Sequence, residues 1–327
     1  MIFDNFSNAQ FAVLGATFAI AIIMGLVANK TSFCTRGAVA DWVNHGQKNR
    51  MRSWLLAMAV AIVGVVVMEA SGIASFNHTL PPYRGSNFAW LEYLSGGFLF
   101  GVGMTFANGC GNRTLVRIGG GNLKSLIVIS MIGITAYFMI TPFPGTDKTL
   151  YSEIFYHWTS KASVTLASEQ DLASLISSHL GGSVMLLRTV IGIVLASAIG
   201  VYVFKSAEFR KSSDHVLAGL VIGVTVFATW YITSAMVTII SDGDPYSWAE
   251  YASIDSWDML EDDSDARPRD VGIQSLSFVS TVAQTLRFGL HQFNTIYATV
   301  GVMALWRYGG TWCYFGIVYL VNAISKI

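Results

Sequence analysis

Two cysteines lie in short polar breaks that directly follow long apolar runs. The first break reads FCTRGA and contains Cys34 and Arg36, and the second reads NGCGNRTLVRIGGGN and contains Cys110 and Arg113. A neutral thiol is a weak hydrogen-bond donor, whereas a guanidinium attracts anions at longer range. Conduction requires a site that admits an ion and also releases it. We therefore expect these residues to line a path for a small anion with affinity for sulfur.

The backbone and the amides around the breaks fit the same hypothesis. Glycines flank Cys110, and irregular backbone at membrane depth is tolerated only inside protein or beside a water-filled path. Asn112 and Asn122 would offer amide hydrogen bonds near the breaks. We expect both thiols to stay protonated at rest, because a thiolate would repel an incoming dianion.

Other roles of the thiols find less support in the sequence. A free cysteine is most often a small buried hydrophobe without chemistry. Cys34 and Cys110 form no CxxC pair, so we predict no metal, and neither has an adjacent resolving cysteine for redox chemistry. The six histidines show no paired spacing and no P-loop is present, so we predict no cofactor.

Composition assigns the chain to the membrane. Of its 327 residues 53% are hydrophobic and 12% charged, against about a quarter charged in soluble domains. The net charge is zero and no basic stripe occurs, which argues against a nucleic-acid partner. An odd count of three dispersed cysteines argues against a disulfide framework. Because no cleavable signal peptide is apparent, we interpret the first apolar run as a spanning helix.

Six apolar runs predict spanning helices, and a less regular stretch at about 271–325 predicts one to three further helical pieces. The fold class is therefore all-α, a polytopic membrane protein with the lipid bilayer as a partner. The six runs are roughly 11–29, 54–73, 91–108, 123–141, 183–204 and 215–236.

Charge in the loops predicts the orientation. The loops after the first, third and fifth runs hold 11 of the 20 basic residues, and the alternate loops and the start hold five. The positive-inside rule then puts the N-terminus outside. We read the acidic segment 237–272 as a solvated outer loop. Glu69 and Arg188 lie close enough to helix ends to snorkel, and Gly97 with Gly101 would allow close helix packing.

The motifs FCTRGA and NGCGNRTLVRIGGGNLKSL resemble those of the YeeE/YedE family of sulfur-compound transporters. The wider resemblance covers roughly residues 12–290 and includes the segment QSLSFVSTVAQT, residues 274–285. It implies an inner-membrane protein for thiosulfate uptake, built as an inverted-repeat helical bundle with short re-entrant helices. It also implies a relay in which thiosulfate passes between cysteines by S–H···S hydrogen bonds. Cys34 and Cys110 match two of those cysteines.

The C-terminal part departs from the family pattern. No second-repeat motif like GCTxGQG occurs, and Cys313, in TWCYFG, does not match the family's third cysteine. We expect a truncated or divergent form, which a second chain or a small subunit could complete. The predicted organisation is a first sulfur-transport repeat of about four spanning helices over 1–141, an outer loop over 142–182, two spanning helices over 183–236, an acidic outer loop over 237–272, and the start of an incomplete or divergent second repeat over 273–327.

The leading hypothesis is an inner-membrane transporter of thiosulfate or a related sulfur anion, not an enzyme. A cytoplasmic sulfurtransferase-like protein is a candidate partner. Three alternatives stay open: transport of another anion such as a selenium species, a membrane sulfurtransferase or redox partner, and a non-functional truncated remnant.

Overall fold

The structure is a computed structural model that describes residues 1–3, 6–76, 79, 83–143, 145–241, 243–253, 273–279 and 282–283. Helices dominate this part of the chain, as expected where lipid forces the backbone to satisfy its own hydrogen bonds. In chain order the α-helices are α1 Phe6–Lys30, α2 Thr35–His45, α3 Asn49–Ala70, α4 Trp90–Phe106, α5 Gly111–Gly119, α6 Leu123–Ile140, α7 His157–Thr159, α8 Leu172–Leu180, α9 Val184–Phe204, α10 Ala207–Lys211, α11 Ser213–Ser234 and α12 Trp248–Ser253. The strands are β1 Ile2–Phe3, β2 Asn87–Phe88, β3 Val164–Thr165, β4 Thr238–Ser241 and β5 Asp244–Ser247.

Each of the six predicted apolar runs is a helix: α1, α3, α4, α6, α9 and α11. Five segments of the described chain are long and apolar enough to cross a membrane, and the first of them, Asn8–His45, contains most of α1 together with α2. The exception among the six is α4, whose 17 residues span about 25 Å at 1.5 Å per residue. The protein is an all-α, multi-pass membrane protein, and the inverted repeat stays a prediction.

Helices α1, α11, α3 and α9 pack side by side in that order. Glycines permit the closest approach, since a Cβ at Gly223 of α11 would lie 2.7 Å from the Ala57 carbonyl oxygen of α3. Gly219, one turn earlier, faces Leu56 in the same way. This spacing of small residues is typical of helix contacts in membranes.

The pair predicted to allow close packing lies elsewhere. On α4, a Cβ at Gly97 or Gly101 would meet no described atom of another element within 4 Å. A glycine pair permits close packing only where a second helix lies against it. In this fold α3 lies against the glycine pair of α11, Gly219 and Gly223.

A small sheet ties the N-terminus to the end of α11. Strand β1 pairs in parallel with β4, and β4 pairs antiparallel with β5. Phe6 stacks on Trp248 with ring centroids 4.6 Å apart, and Ile239 and Tyr251 are fully buried beside them. The first part of the predicted solvated loop 237–272 is thus a packed hairpin, because its aromatic residues outweigh its charge. Residues 254–272 lie outside the described part.

A partly buried ion cluster joins the ends of α3 and α9 to the segment before α8. Arg188, whose side chain is 17% exposed, pairs with Glu69 at 3.4 Å, with Asp171 at 2.9 Å and with Glu169. Arg84 makes a two-pronged contact with Glu69 at 2.6 and 2.8 Å. Glu69 and Arg188 therefore pair with each other and with neighbouring charges. The sequence had suggested instead that each side chain extends to the membrane surface.

The cluster makes part of the stability dependent on pH. Burial alone would raise the pKa of the Asp171 carboxyl, but hydrogen bonds from Arg188 and Ser174 and the charge of Arg188 hold that pKa below its ordinary value. A carboxyl with a depressed folded-state pKa stabilises the fold above its unfolded pKa, about 3.9 for aspartate, and this stabilisation is lost as the pH falls through the folded pKa.

The substitution Arg188→Gln is expected to lower the free energy of unfolding by about 3 kcal/mol at neutral pH, because it leaves partly buried carboxylates without a counter-charge. The difference from wild type should shrink near about pH 4, since protonation neutralises the carboxylates that lost their partner. Thermal unfolding in detergent at both pH values measures this. Arg188→Lys, which keeps the charge, serves as the control, and a fully stable Arg188→Gln protein at neutral pH would contradict the prediction.

Candidate functional site

The first break begins with a left-handed turn at the end of α1. Ser32 has φ 50°, and the N–H of Phe33 donates to the carbonyl of Ala28 at 3.0 Å, which closes the helix. The backbone then extends at Cys34, which is the N-cap residue of α2. The cysteine thus lies between the end of one helix and the start of the next.

The second break repeats this local structure at the end of α4. Asn108 has φ 55°, the N–H of Gly109 donates to the carbonyl of Met104 at 3.1 Å, and Cys110 is the extended N-cap residue of α5. Among the described residues, Ser32 and Asn108 are the non-glycine residues with positive φ. A left-handed serine costs about 1–2 kcal/mol, whereas asparagine adopts this conformation more readily. Both cysteines therefore follow, at the same spacing, a turn that the surrounding structure must hold in place.

The two thiols meet although 76 residues separate them. Cys34 Sγ lies 3.7 Å from Cys110 Sγ, with Cys34 4% exposed and Cys110 partly buried. Neither sulfur makes a capping hydrogen bond to its own helix. The N-termini of α2 and α5 thus converge on one point, and helix N-termini favour negative charge.

Two guanidinium groups come close to the first turn of α2. A Cβ at Gly37 would lie 3.0 Å from Arg50 Nη1 and 3.4 Å from Arg113 Nη1. Arg50 also pairs with Asp41 at 3.0 Å, whereas the part of the chain described here places no carboxylate within ion-pair distance of Arg113. Arg113 can therefore act on an anion beside the thiols.

Arg50 is a residue that sequence reasoning missed. It belongs to the predicted cytoplasmic loop but lies in the first turn of α3, and only the packing of α2 on α3 brings it to the site. Arg36, which the sequence did predict, is a partly buried residue of the first turn of α2.

The two asparagines that were predicted to offer amide hydrogen bonds near the breaks have different positions in the structure. Asn112 Nδ2 donates to the Phe33 carbonyl at 3.5 Å and so links the second break to the first. Asn122 caps α6, where its Oδ1 accepts from the N–H groups of Lys124 and Ser125 at 3.1 and 3.4 Å. The nine residues of α5, about 13 Å of helix, separate it from Cys110.

A narrow crevice leads to Cys34 from the ends of α1, α3 and α11. The space between these helix ends is too narrow to hold a water molecule. Arg50 makes one side basic. Its lining residues are Thr31, Phe33, Cys34, Arg50, Ser53, Trp54, His215 and Ala218. In the described residues, no group of three His, Cys, Asp or Glu side chains could share a metal ion.

The segment after the acidic loop packs against the second break. A Cβ at Gly111 would lie 3.2 Å from Phe278 Cβ, and the Gln274 carbonyl accepts from Thr233 Oγ1 at 3.0 Å. Val282 packs with Leu115 of α5. The resemblance marked this segment as part of the family pattern, but its position beside Cys110 is visible only in the structure.

Comparison with known proteins supports the family resemblance that the two cysteine breaks suggested. The chain is 26% identical to the thiosulfate transporter TsuA of Escherichia coli (strain K12) over 142 residues, which are 43% of this chain and 38% of that relative. The match thus spans less than half the length of the curated relative. A family model described as Sulphur transport matches residues 30–319, which include both cysteine breaks and extend beyond the resemblance drawn from the motifs. Since that match covers well over half of the chain, the protein belongs to the sulphur transport family.

Proposed function

We propose that this protein carries thiosulfate, or a closely related sulfur anion, across the inner membrane along a path on which Cys34 and Cys110 donate S–H hydrogen bonds in turn. The observation that carries the proposal is the 3.7 Å separation of the two sulfurs at the converging N-termini of α2 and α5. Membership of the sulphur transport family and the similarity to a thiosulfate transporter support a sulfur anion as cargo.

The chemistry of the site suits a dianion that carries a terminal sulfur. A thiol is a weak donor, so it can hold the soft sulfur of thiosulfate without trapping the ion. The helix N-termini and Arg113 offset the charge on the oxygens. Because the thiols are almost in contact, an anion that leaves one of them meets the other directly.

The remaining predicted residues act around this pair. Arg36 provides longer-range attraction, Asn112 holds the two breaks together, and Asn122 offers its amide nitrogen at the far end of α5. With the N-terminus outside, the side of the site beside Arg50 and His215 faces the cytoplasm, and we place the exit of the path there. A sulfurtransferase-like protein at that exit is a candidate acceptor.

Uptake by reconstituted vesicles tests the function. Vesicles with the purified protein should accumulate sulfur-labelled thiosulfate faster than empty vesicles, and unlabelled thiosulfate should compete better than sulfate, which has no terminal sulfur. Stronger competition by selenite would favour a selenium species as cargo. Uptake no faster than in empty vesicles, together with no thiosulfate binding, would contradict transport and favour a non-transporting form.

A second assay separates transport from sulfur transfer. Mass spectrometry after incubation with thiosulfate should find both cysteines unmodified, because a relay forms no covalent bond. A persulfide on Cys34 or Cys110 would indicate a sulfurtransferase instead.

A further inference from the structure

We propose that Cys34 and Cys110 also form a reversible disulfide, which makes the thiol pair a redox-sensitive site. In the sequence neither cysteine has a resolving partner nearby, but the fold puts the two sulfurs 3.7 Å apart. A sulfenic acid formed on one cysteine condenses readily with a neighbouring thiol. The effect on transport rests on the proposed function, whereas the disulfide itself does not.

The geometry permits the bond with a small movement. A disulfide needs a sulfur–sulfur distance of about 2.05 Å, so the sulfurs must approach by about 1.6 Å. Both cysteines lie at N-cap positions with extended backbone, and neither sulfur caps its helix, so the approach breaks no capping hydrogen bond. The bond from Asn112 Nδ2 to the Phe33 carbonyl already ties the two breaks together.

The pair rests as two thiols, and its surroundings supply the species that reacts. The attacking species is the small thiolate fraction, which helix N-termini and a neighbouring arginine increase. Both helix N-termini and the Arg113 guanidinium lie at this site. Cys110 is only partly buried, which gives a small neutral oxidant a route to the pair.

The reaction with a hydroperoxide balances in two steps. One thiolate attacks the peroxide O–O bond, which gives a sulfenic acid and releases hydroxide. The second thiol then attacks the sulfenic sulfur, which forms the S–S bond, and its proton with the departing hydroxyl group leaves as water. The two sulfurs together lose two electrons and the peroxide gains them. A dithiol reductant reverses the change by thiol–disulfide exchange.

Oxidation would close the transport path. The disulfide consumes both S–H protons, so neither cysteine can donate a hydrogen bond to an anion. It also draws the N-termini of α2 and α5 together at the point where they converge.

The test uses the full-length chain with Cys313→Ser, so that an intramolecular disulfide can only join Cys34 and Cys110. Reconstituted protein is treated with hydrogen peroxide, its free thiols are alkylated, and its peptides are analysed by mass spectrometry. We expect a linked peptide pair, near-complete loss of thiosulfate uptake, and recovery of uptake with dithiothreitol. Adding Cys110→Ala to this background removes the linked pair.

Two results would overturn the inference. One is free or overoxidised thiols without a linked pair, and the other is a linked protein that transports as fast as the reduced one. Mass spectrometry reads the linkage whether or not the protein transports. A linked pair in a protein that shows no uptake even when reduced would therefore count against the proposed transport and leave the disulfide standing.

Discussion

Replacing Cys110 by alanine is expected to lower thiosulfate uptake by about ten- to a hundredfold, and Cys34→Ala should do the same. Each substitution removes a donor from a site with little water, and a polar group left without its partner there costs about 1–3 kcal/mol. Uptake rates of reconstituted vesicles at equal protein content measure the effect. Because alanine is smaller than cysteine and the backbone at both positions is extended, the fold should remain intact.

Two control variants sharpen this prediction. Serine at position 34 or 110 keeps an O–H donor and should retain more uptake than alanine. Cys313 is not among the residues predicted to line the path, so the Cys313→Ala protein should transport like the wild type. Wild-type uptake by both alanine variants would contradict the prediction that Cys34 and Cys110 line the path.

Gly223→Ala is expected to destabilise the protein by about 3 kcal/mol, at the upper end of the usual cost of overpacking. The new Cβ would lie 2.6 Å from Val60 Cβ and 2.7 Å from the carbonyl oxygen of Ala57. A side chain can rotate away, but a backbone carbonyl within α3 cannot, so α11 and α3 must separate. Thermal unfolding in detergent should show a clear drop in Tm.

Gly101→Ala is the matched control for this substitution. It is also a helical glycine in a GxxxG pair, but no described atom of another element lies within 4 Å of its added Cβ. It should leave stability unchanged or raise it by about 0.5–1 kcal/mol, because alanine has less backbone entropy to lose in a helix. Equal stability of the Gly223→Ala and Gly101→Ala proteins would contradict the packing argument.

Charge pairing and glycine packing could not be read from the sequence. Glu69 and Arg188 are 119 residues apart, and only the contact between α3 and α9 brings them within 3.4 Å. Gly219 and Gly223 form a GxxxG pair as Gly97 and Gly101 do, but they differ in what lies opposite. A GxxxG pattern shows that a helix could pack closely, whereas the position of the neighbouring helix determines whether it does.

The six helices and the two breaks could be predicted from the amino-acid sequence alone, because lipid requires continuous apolar segments and because glycine and polar residues interrupt them. The sequence also marked Cys34 and Cys110 as residues with unusual surroundings. The 3.7 Å approach of the two sulfurs and the position of Arg50 beside the first turn of α2 are visible only in the folded structure. The cap that Asn122 forms on α6 is a local contact within residues 122–125, and the sequence analysis missed it. Apolar character and helix breaks are local properties of the chain, whereas the meeting of α2 with α5 depends on how distant helices pack.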